Sequence, residues 1–318
     1  MSLIDLHCDT AFLMSVMQEP IELRKNNLCV DLEKMKRADS MAQFFASFIH
    51  MKMFDGDFTK AYEAALAMMR RTKEEISKNR DMIALARSCE ELLTNQKNGL
   101  MSGILTVEEG GIIEGKMERL EELYREGVRL ITLTWNFENC MGYPNSEDAE
   151  IMNQGLKPFG IEAVEHMNEL GMIVDVSHLS DGGFWDVMKY SKKPAIASHS
   201  NARRECGHRR NLTDEMIRAL AEKGGIAGLN FYPAFLAKTG TANIDDIVGH
   251  LVHMYHVGGE EFVAIGTDFD GFEGAVDGLE DMGKMPLFYE ALKKRKFTDS
   301  QIEKFWYKNA LRIIREVC

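Results

Sequence analysis

The stretch LIDLHCDT, residues 3–10, places a histidine and an aspartate two residues apart at the end of an apolar run. Side chains at positions i and i+2 of an extended strand point to the same face, so His7 and Asp9 would converge while Cys8 points away. Imidazole and carboxylate groups are ligands of Zn²⁺ and similar divalent ions. His7 and Asp9 are therefore a candidate ligand pair, provided that other strands bring further ligands beside them.

Residues of the same types follow other apolar runs along the chain. They are Glu108 and Glu109, His178, His199, and Asp268 and Asp270. One histidine at a strand end is more often a hydrogen-bonded core or rim residue than a ligand. Three histidines and several carboxylates in one place, however, would bury charge at a cost of several kcal/mol per ion unless cations compensated it. Two divalent ions that share a bridging carboxylate would activate a water and polarise a carbonyl, so hydrolysis is the natural chemistry of such a site.

Short apolar or β-branched runs carry these residues, and longer amphipathic stretches separate the runs. The predicted strands are residues 3–8, 44–49, 103–108, 129–135, 172–178, 195–199, 225–231 and 262–268. Predicted helices include residues 116–127, 159–171, 213–224 and 243–258. Several of these helices begin at Ser, Thr, Asp or Asn and end at Gly, as capped helices do. The alternation is typical of βα units built on a parallel sheet.

Eight such units in 318 residues predict an α/β protein with a closed (β/α)8 barrel, in a single domain over residues 1–318. An open, doubly wound sheet is the alternative. A largely helical insertion after the second strand (50–101) and two C-terminal helices (284–295 and 299–317) would decorate the core. In a (β/α)8 barrel, functional groups gather at the carboxyl ends of the strands, which is where the candidate ligands lie.

Composition and charge narrow the class of partner. A formal net charge of -12 argues against a nucleic-acid partner. No run reaches the roughly 18 apolar residues of a membrane span, and the first residues lack the pattern of a secretion signal. The six cysteines are scattered without a CxxC pair, which fits reduced thiols. We therefore expect a cytoplasmic protein that binds neither nucleic acid nor membrane.

Six short motifs together resemble the renal, or membrane, dipeptidase family of the amidohydrolase superfamily. The motifs are DLHCDT (5–10), TVEEGG (106–111), DVSHLS (175–180), ASHSNA (197–202), RRN (209–211) and GTDFDG (266–271). The resemblance covers most of the chain and is specific in order and spacing. It implies a zinc dipeptidase that hydrolyses free dipeptides through a hydroxide bridging two zinc ions, and that tolerates a D-residue at the C-terminal position. Whether the chain forms a homodimer is left open.

The resemblance also assigns the metal ligands. They are His7 and Asp9 for one zinc ion, His178 and His199 for the other, and Glu108 as the bridge. The family glutamate is often followed directly by Gly-Gly, whereas here Glu109 intervenes, so the bridging assignment could shift by one residue. We choose Glu108 because it directly follows Val107 at the end of the strand run.

Further residues match the family's catalytic and substrate-binding positions. Asp268 matches the acid/base carboxylate, and Arg210 matches the group that holds the substrate's C-terminal carboxylate. Trp135 stands where well-known members carry a histidine thought to contact the substrate and the developing oxyanion. An indole N–H cannot become cationic, so that task would pass to the metal ions, to Asn136 or to Asn139. Tyr232, near the end of the seventh predicted strand, is expected to line the pocket.

Two other functions remain open at this stage. The same binuclear site could hydrolyse an N-acyl amino acid or another small amide, or the barrel could bind a ligand without turnover. The complete set of ligands with an acid/base carboxylate argues against the second alternative. His250, His253 and His256 recur every three residues, which favours packing or surface roles on one helix over a metal site. His166 is expected to behave likewise, and His50 is expected to lie outside the site.

Overall fold

A computed structural model describes residues 2–318, and its core is a sheet of nine parallel strands. In chain order the strands are β1 (Leu3–Cys8), β2 (Ser40–Phe48), β3 (Ile83–Leu85), β4 (Met101–Glu108), β5 (Val128–Thr132), β6 (Ile173–Asp175), β7 (Ile196–Ala197), β8 (Ile226–Leu229) and β9 (Val263–Ile265). Eight of them close into a ring in the order β1-β2-β4-β5-β6-β7-β8-β9, with β9 pairing back to β1. The predicted (β/α)8 barrel is confirmed.

The ninth strand, β3, lies outside this ring. It pairs with β4 only over Met101, Ser102 and Gly103, whereas β5 occupies the same edge of β4 from Leu105 onward. Because β2 pairs directly with β4, the barrel closes without β3. The segment 50–101 is thus largely helical as predicted, but it also contains the short strand β3, which was not predicted.

Helices surround the barrel. They are α1 (Thr10–Val16), α2 (Leu32–Arg37), α3 (Phe58–Lys78), α4 (Cys89–Lys97), α5 (Met117–Arg125), α6 (Ala149–Met152), α7 (Pro158–Leu170), α8 (Asp181–Tyr190), α9 (Asp214–Glu222), α10 (Pro233–Leu236), α11 (Ile244–Gly258), α12 (Met285–Lys294), α13 (Asp299–Glu303) and α14 (Asn309–Val317). Short 3₁₀ turns span Met51–Phe54, Gly110–Ile113 and Met282–Lys284, and a π-helical turn over Lys304–Lys308 joins α13 to α14. No helix within residues 2–318 is long and apolar enough to cross a membrane.

Helix α14 closes one end of the barrel. Its apolar side chains recur at positions 310, 311, 313, 314 and 317, which is the stripe of an amphipathic helix. These residues pack in one cluster with barrel-lining side chains such as Ile4, Ile173 and Ile226. The strands carry those side chains near their amino-terminal ends, so the opposite, carboxyl end of the barrel remains available for a site.

Several predicted strands are longer than the observed ones at this carboxyl end. The runs 172–178, 195–199 and 262–268 leave the ladder after Asp175, Ala197 and Ile265. Beyond those points the backbone N–H groups of Ser177 and Ser198 donate to the buried Asp175 carboxylate instead of to a neighbouring strand. Side-chain acceptors have replaced the ladder, and this frees the chain to turn where the candidate ligands lie.

Candidate metal centre

Glu108, the last residue of β4, lies at the centre of the candidate site and is 3% exposed. Its Oε2 atom lies 3.3 Å from His7 Nε2. Its Oε1 atom lies 3.1 Å from His178 Nε2 and 3.6 Å from His199 Nε2. One carboxylate therefore faces two groups of potential ligands through its two oxygens, which is the geometry of a bridge.

The first group lies on the β1 and β9 side of the barrel. His7 Nε2 is 3.3 Å from Asp9 Oδ2 and 3.7 Å from Asp268 Oδ1, and the ligand atoms of these three residues all lie within 4.8 Å of one another. The backbone of Asp268 has φ +62°, a left-handed conformation that is uncommon for a residue with a side chain. Asn230 Nδ2 holds Asp268 Oδ2 at 2.8 Å, a contact that the sequence did not suggest.

The second group comes from the ends of β6 and β7. The rings of His178 and His199 lie 5.1 Å apart between centroids. His178 also has a left-handed backbone, with φ +66°, and its Nδ1 atom lies 3.0 Å from Asn136 Oδ1. Left-handed residues that carry side chains are costly in isolation, and they concentrate here at the site.

Glu109 points away from this centre. Its Oε1 accepts hydrogen bonds from Gly111 N and Asn139 Nδ2, and its Oε2 accepts one from Trp135 N. The second N–H of the Asn139 amide donates to Leu133 O at 2.9 Å. Glu109 therefore organises the loop after β5. The expectation that Asn139 could stabilise an oxyanion is wrong, because both of its donors are already engaged.

Burial and neighbouring charges shift the pKa values of the carboxylates in opposite directions. Burial raises the pKa of Asp268 to about 7, opposed by the His7 imidazole and reinforced by Asp9 and Glu108. Burial likewise raises the pKa of Asp9 to about 6. Burial would also raise the pKa of Glu108, but the facing His7 and His178 rings outweigh it and hold this pKa below its usual range. Of these three carboxylates, only Glu108 is thus favoured in its charged form by its surroundings.

The two histidines on the other side are held in the neutral form. Burial lowers the pKa of His178 to about 4, and the Arg210 charge adds to this effect. Burial, with the His7 and Arg210 charges, also lowers the pKa of His199 well below its usual value. Neutral imidazole is the form that binds metal ions.

Several buried polar atoms of this cluster have no hydrogen-bond partner within residues 2–318. They are both ring nitrogens of His7, Asp9 Oδ1 and His199 Nε2. Buried polar atoms are rarely left unpaired, because each costs free energy comparable to a lost hydrogen bond. Imidazole nitrogens and carboxylate oxygens converging at these distances are a donor set suited to divalent ions. The residues present therefore fit a metal centre.

A cavity of about 220 Å³ opens onto this cluster. It is lined by Asp9, Phe12, Phe48, Glu108, Trp135, Asn136, His178, Tyr232, Phe235, Asp268, Asp270 and Gly271. Trp135, Asn136 and Tyr232 thus lie where the sequence predicted pocket residues. Phe12, on α1, and Phe48, at the end of β2, were missed, because an aromatic residue that faces a pocket cannot be told in sequence from one that packs in the core.

Arg210 differs from the neighbouring arginines in that it is buried. Arg203 forms a two-pronged ion pair with Asp181, and Arg209 pairs with Glu147, whereas Arg210 is 5% exposed. Arg210 donates to Ser200 Oγ and to the His199 backbone oxygen, and its buried Nε atom has no acceptor within residues 2–318.

Arg210 does not line the cavity of about 220 Å³ that opens onto the candidate metal centre. Its guanidinium lies 5.4 Å from the ring centre of Phe235, which does line it. A much smaller adjoining cavity is lined by both Arg210 and His178. Burial lowers the pKa of Arg210 to about 10, so the side chain keeps its charge near neutral pH beside the metal centre.

Four other histidines lie outside this cluster. His250 is buried on α11, where its ring contacts Ala202 N and Leu236 O, and His253 on the same helix contacts Asp214. His166 on α7 lies near Glu121 and Glu169 on the surface. His50 packs against the ring of Trp135, with centroids 4.9 Å apart, and lines a neighbouring apolar cavity but not the metal cavity.

Comparison with known proteins agrees with this geometry. The family model described as membrane dipeptidase, peptidase family M19, matches residues 1–318. An uncharacterized dipeptidase of Schizosaccharomyces pombe is 32% identical over 330 residues, which cover 98% of this chain and 79% of the relative.

Solved structures share the fold. A metallopeptidase from Rhodobacter sphaeroides, solved with a phosphinate mimic of the dipeptide L-Ala-D-Ala, superposes with a TM-score of 0.92 at 24% identity, covering 100% of this chain and 99% of that one. A probable dipeptidase from Pseudomonas aeruginosa superposes with a TM-score of 0.90 at 20% identity, covering 99% and 95%. With its barrel, its cluster of candidate ligands and a family match along its whole length, the chain belongs to the membrane dipeptidase family of metallopeptidases.

Proposed function

We propose that the protein is a two-zinc dipeptidase that hydrolyses free dipeptides and accepts a D-residue at the C-terminal position. The observation that carries this proposal is the position of Glu108, whose two oxygens face His7 on one side and His178 and His199 on the other. A carboxylate in that position is suited to bridge two ions.

The ligands follow from the two groups around Glu108. His7 and Asp9 would hold one ion, and His178 and His199 would hold the other. When bound, such a pair of ions lowers the pKa of water, polarises the scissile carbonyl and neutralises negative charge that develops on it. The protein residues supply the orientation, the proton transfer and the selection of substrate.

Asp268 is the residue best placed to move the proton. Its Oδ1 lies 3.7 Å from His7 Nε2, and Asn230 holds its other oxygen, so one oxygen points into the cavity. In the proposed reaction Asp268 accepts a proton from the attacking water and delivers it to the leaving amine. A buried carboxylate whose pKa lies near neutrality is suited to both halves of that transfer.

The limit to dipeptides is proposed to arise from Arg210 and from the size of the cavity. A guanidinium binds a carboxylate through two parallel hydrogen bonds, and the orphaned Nε of Arg210 provides one of the donors. A cavity of about 220 Å³ is small for a longer peptide. Trp135 contributes an apolar wall, and the Asn136 amide is the remaining side-chain candidate to donate to an oxyanion.

Tolerance of a D-residue is supported by the structural neighbour from Rhodobacter sphaeroides, whose bound ligand mimics L-Ala-D-Ala. That neighbour shares the fold at 24% identity, so its ligand motivates the proposal without deciding it. A cytoplasmic location, supported by six free cysteines, stays a prediction, and the formation of a homodimer stays open.

The test is a substrate panel on zinc-loaded protein. We expect turnover of L-Ala-L-Ala and L-Ala-D-Ala, and little turnover of L-Ala-L-Ala amide, L-Ala-L-Ala-L-Ala and N-acetyl-L-alanine. Removal of metal with a chelator should abolish turnover, and added Zn²⁺ should restore it. Faster hydrolysis of N-acetyl-L-alanine than of either dipeptide would favour an N-acyl amino acid hydrolase, and no hydrolysis of any substrate would favour a binding protein.

A further inference from the structure

Asp175 lies at the end of β6, beneath the metal centre, and is fully buried. Its Oδ1 accepts hydrogen bonds from the backbone N–H groups of Ser177 and Ser198, at 2.9 and 2.8 Å. Its Oδ2 accepts hydrogen bonds from the hydroxyls of Thr132 and Ser198, both at 2.6 Å. Asp175 thereby ties the end of β5 to the chain that follows β7, and it acts only as an acceptor.

The Ser198 hydroxyl connects this carboxylate to a candidate metal ligand. Its Oγ lies 2.6 Å from Asp175 Oδ2 and 2.7 Å from His199 Nδ1. A hydroxyl has one proton, and a carboxylate has none to give. The Ser198 proton must therefore point to Asp175, because any other arrangement would bring two lone pairs into contact at hydrogen-bond distance. The oxygen of Ser198 then accepts the N–H of His199 Nδ1.

This arrangement fixes the tautomer of His199. With the proton on Nδ1, the lone pair of the ring lies on Nε2, which is buried, has no hydrogen-bond partner and faces Glu108 Oε1 at 3.6 Å. We infer that Asp175 and Ser198 are positioning residues for His199, which hold its ring with the metal-binding nitrogen directed into the centre. This inference rests on the metal assignment proposed above.

The expected effect is confined to one of the two ions. Hydrogen-bond partners on the second nitrogen of a ligating histidine fix its orientation and raise its basicity, and their loss typically lowers metal affinity about 10- to 100-fold. His7, on the other side of Glu108, has no partner for Nδ1 within residues 2–318. Loss of the Ser198 hydroxyl should therefore weaken the ion held by His199 and spare the ion held by His7.

The first experiment measures Zn²⁺ binding by the full-length metal-free protein in competition with a chromogenic chelator. We expect the Ser198→Ala variant to bind one Zn²⁺ about 10- to 100-fold more weakly than wild type and the other with unchanged affinity. Ser198→Thr, which keeps the hydroxyl, should restore the lost affinity. Ser47→Ala is the matched control, because Ser47 is a buried serine near the end of β2 whose hydroxyl has no partner among the described residues 2–318.

Equal Zn²⁺ affinities for Ser198→Ala and wild type would overturn the inference, as would an equal loss at both steps. Wild-type protein that binds no Zn²⁺ would instead contradict the metal assignment itself. A second measurement uses wild type alone, so it does not depend on a variant that folds. Histidine ¹⁵N NMR of the metal-free protein should place the His199 proton on Nδ1, and a proton on Nε2 would overturn the inference.

Discussion

The two sides of the metal centre are built on similar buried aspartates but use them differently. Asp175 and Asp5 each accept four hydrogen bonds. On the β6 and β7 side the network continues from Asp175 through Ser198 to the ring of His199. On the β1 and β9 side Asp5 holds the backbone of His7 and does not reach its ring. The hydrogen bonds thus reach the ring of a candidate ligand on the first side, and only the backbone of a candidate ligand on the second side.

The two sides also differ in charge. Burial raises the pKa values of Asp9 and Asp268 on the β1 and β9 side to about 6 and 7, and it lowers the pKa of His178 on the other side to about 4. The physical cause is the same, because burial disfavours whichever form is charged. One side of the barrel mouth thus carries carboxylates whose pKa values are raised, and the other side carries imidazoles that burial keeps neutral.

The largest effect should come from removing the proton carrier. We expect Asp268→Asn to keep the fold and the metal ions but to lower kcat by about 10²- to 10⁴-fold, because an amide cannot accept and return a proton. Asp270→Asn is the matched control, since Asp270 also lines the cavity but is engaged by Thr10 and Cys29. A near-normal kcat for Asp268→Asn, with a low kcat for Asp270→Asn, would move the proton transfer to Asp270.

Arg210 tests whether the imidazole side also selects the substrate. Truncating one partner of a buried, charged hydrogen bond typically costs about 2 to 5 kcal/mol, so kcat/KM of Arg210→Met for a dipeptide should fall accordingly. The variant should also lose its discrimination between the dipeptide and the dipeptide amide. Arg209→Met, which removes only a surface pair with Glu147, serves as the control. Discrimination that persists in Arg210→Met would assign the carboxylate to another group.

Replacing each of the two buried aspartates, Asp175 and Asp5, by asparagine tests the difference between the two sides of the candidate metal centre. Asp175→Asn should weaken one of the two bound Zn²⁺ ions about 10- to 100-fold, because the amide disturbs the chain of hydrogen bonds to His199. Asp5→Asn changes an equally buried carboxylate that contacts no imidazole ring, so it should lower the thermal unfolding temperature without a selective loss of one ion. Identical Zn²⁺ titrations for the two variants would remove the distinction between the two sides.

The smallest expected effect is on the free energy of unfolding. It concerns His250 on α11, which supports the loop that carries Arg210. Nδ1 of His250 is 3.1 Å from Ala202 N and its Nε2 is 3.0 Å from Leu236 O, and burial lowers the pKa of this histidine. The unfolded chain therefore binds a proton first as pH falls below about 6.5, and the folded state is destabilised by at most about 1.4 kcal/mol per pH unit.

The measurement is the free energy of unfolding of wild type and His250→Gln between pH 7 and pH 5. Because glutamine does not titrate, the variant should lose less stability over this interval than wild type, although it starts from a lower value. An equal or steeper loss of stability in the variant would contradict a lowered pKa for His250 in the folded protein.

The barrel could be predicted from the sequence because apolar runs alternate with amphipathic stretches. This pattern directly reflects which residues are buried. It predicted the helices corresponding to α5, α7, α9 and α11 for the same reason. The predicted strands that correspond to β6, β7 and β9 were too long. Ser177 and Ser198, for example, follow apolar runs in the sequence, but in the structure their N–H groups donate to a carboxylate instead of to a neighbouring strand. The short strand β3 was not predicted.

The candidate site was partly accessible in the same way. The histidines and acids at strand ends could be predicted from the sequence as candidate ligands, because few roles other than metal binding suit several such residues when they converge. The roles of Glu109, Asn139 and Asp175 could not, since each depends on which hydrogen-bond donors the fold brings to one carboxylate or amide. Pocket walls such as Phe12 and Phe48 could not be identified either, because an apolar side chain that faces a pocket resembles in sequence one that faces the core.

The most direct test of a centre divided between two sides is the metal content of the active protein. Elemental analysis of dipeptidase-active, full-length wild-type protein should find two Zn²⁺ per chain, one for each group of ligands around Glu108. Full activity in protein that holds no more than one divalent ion per chain would contradict the bridging role of Glu108 and the division of tasks across it.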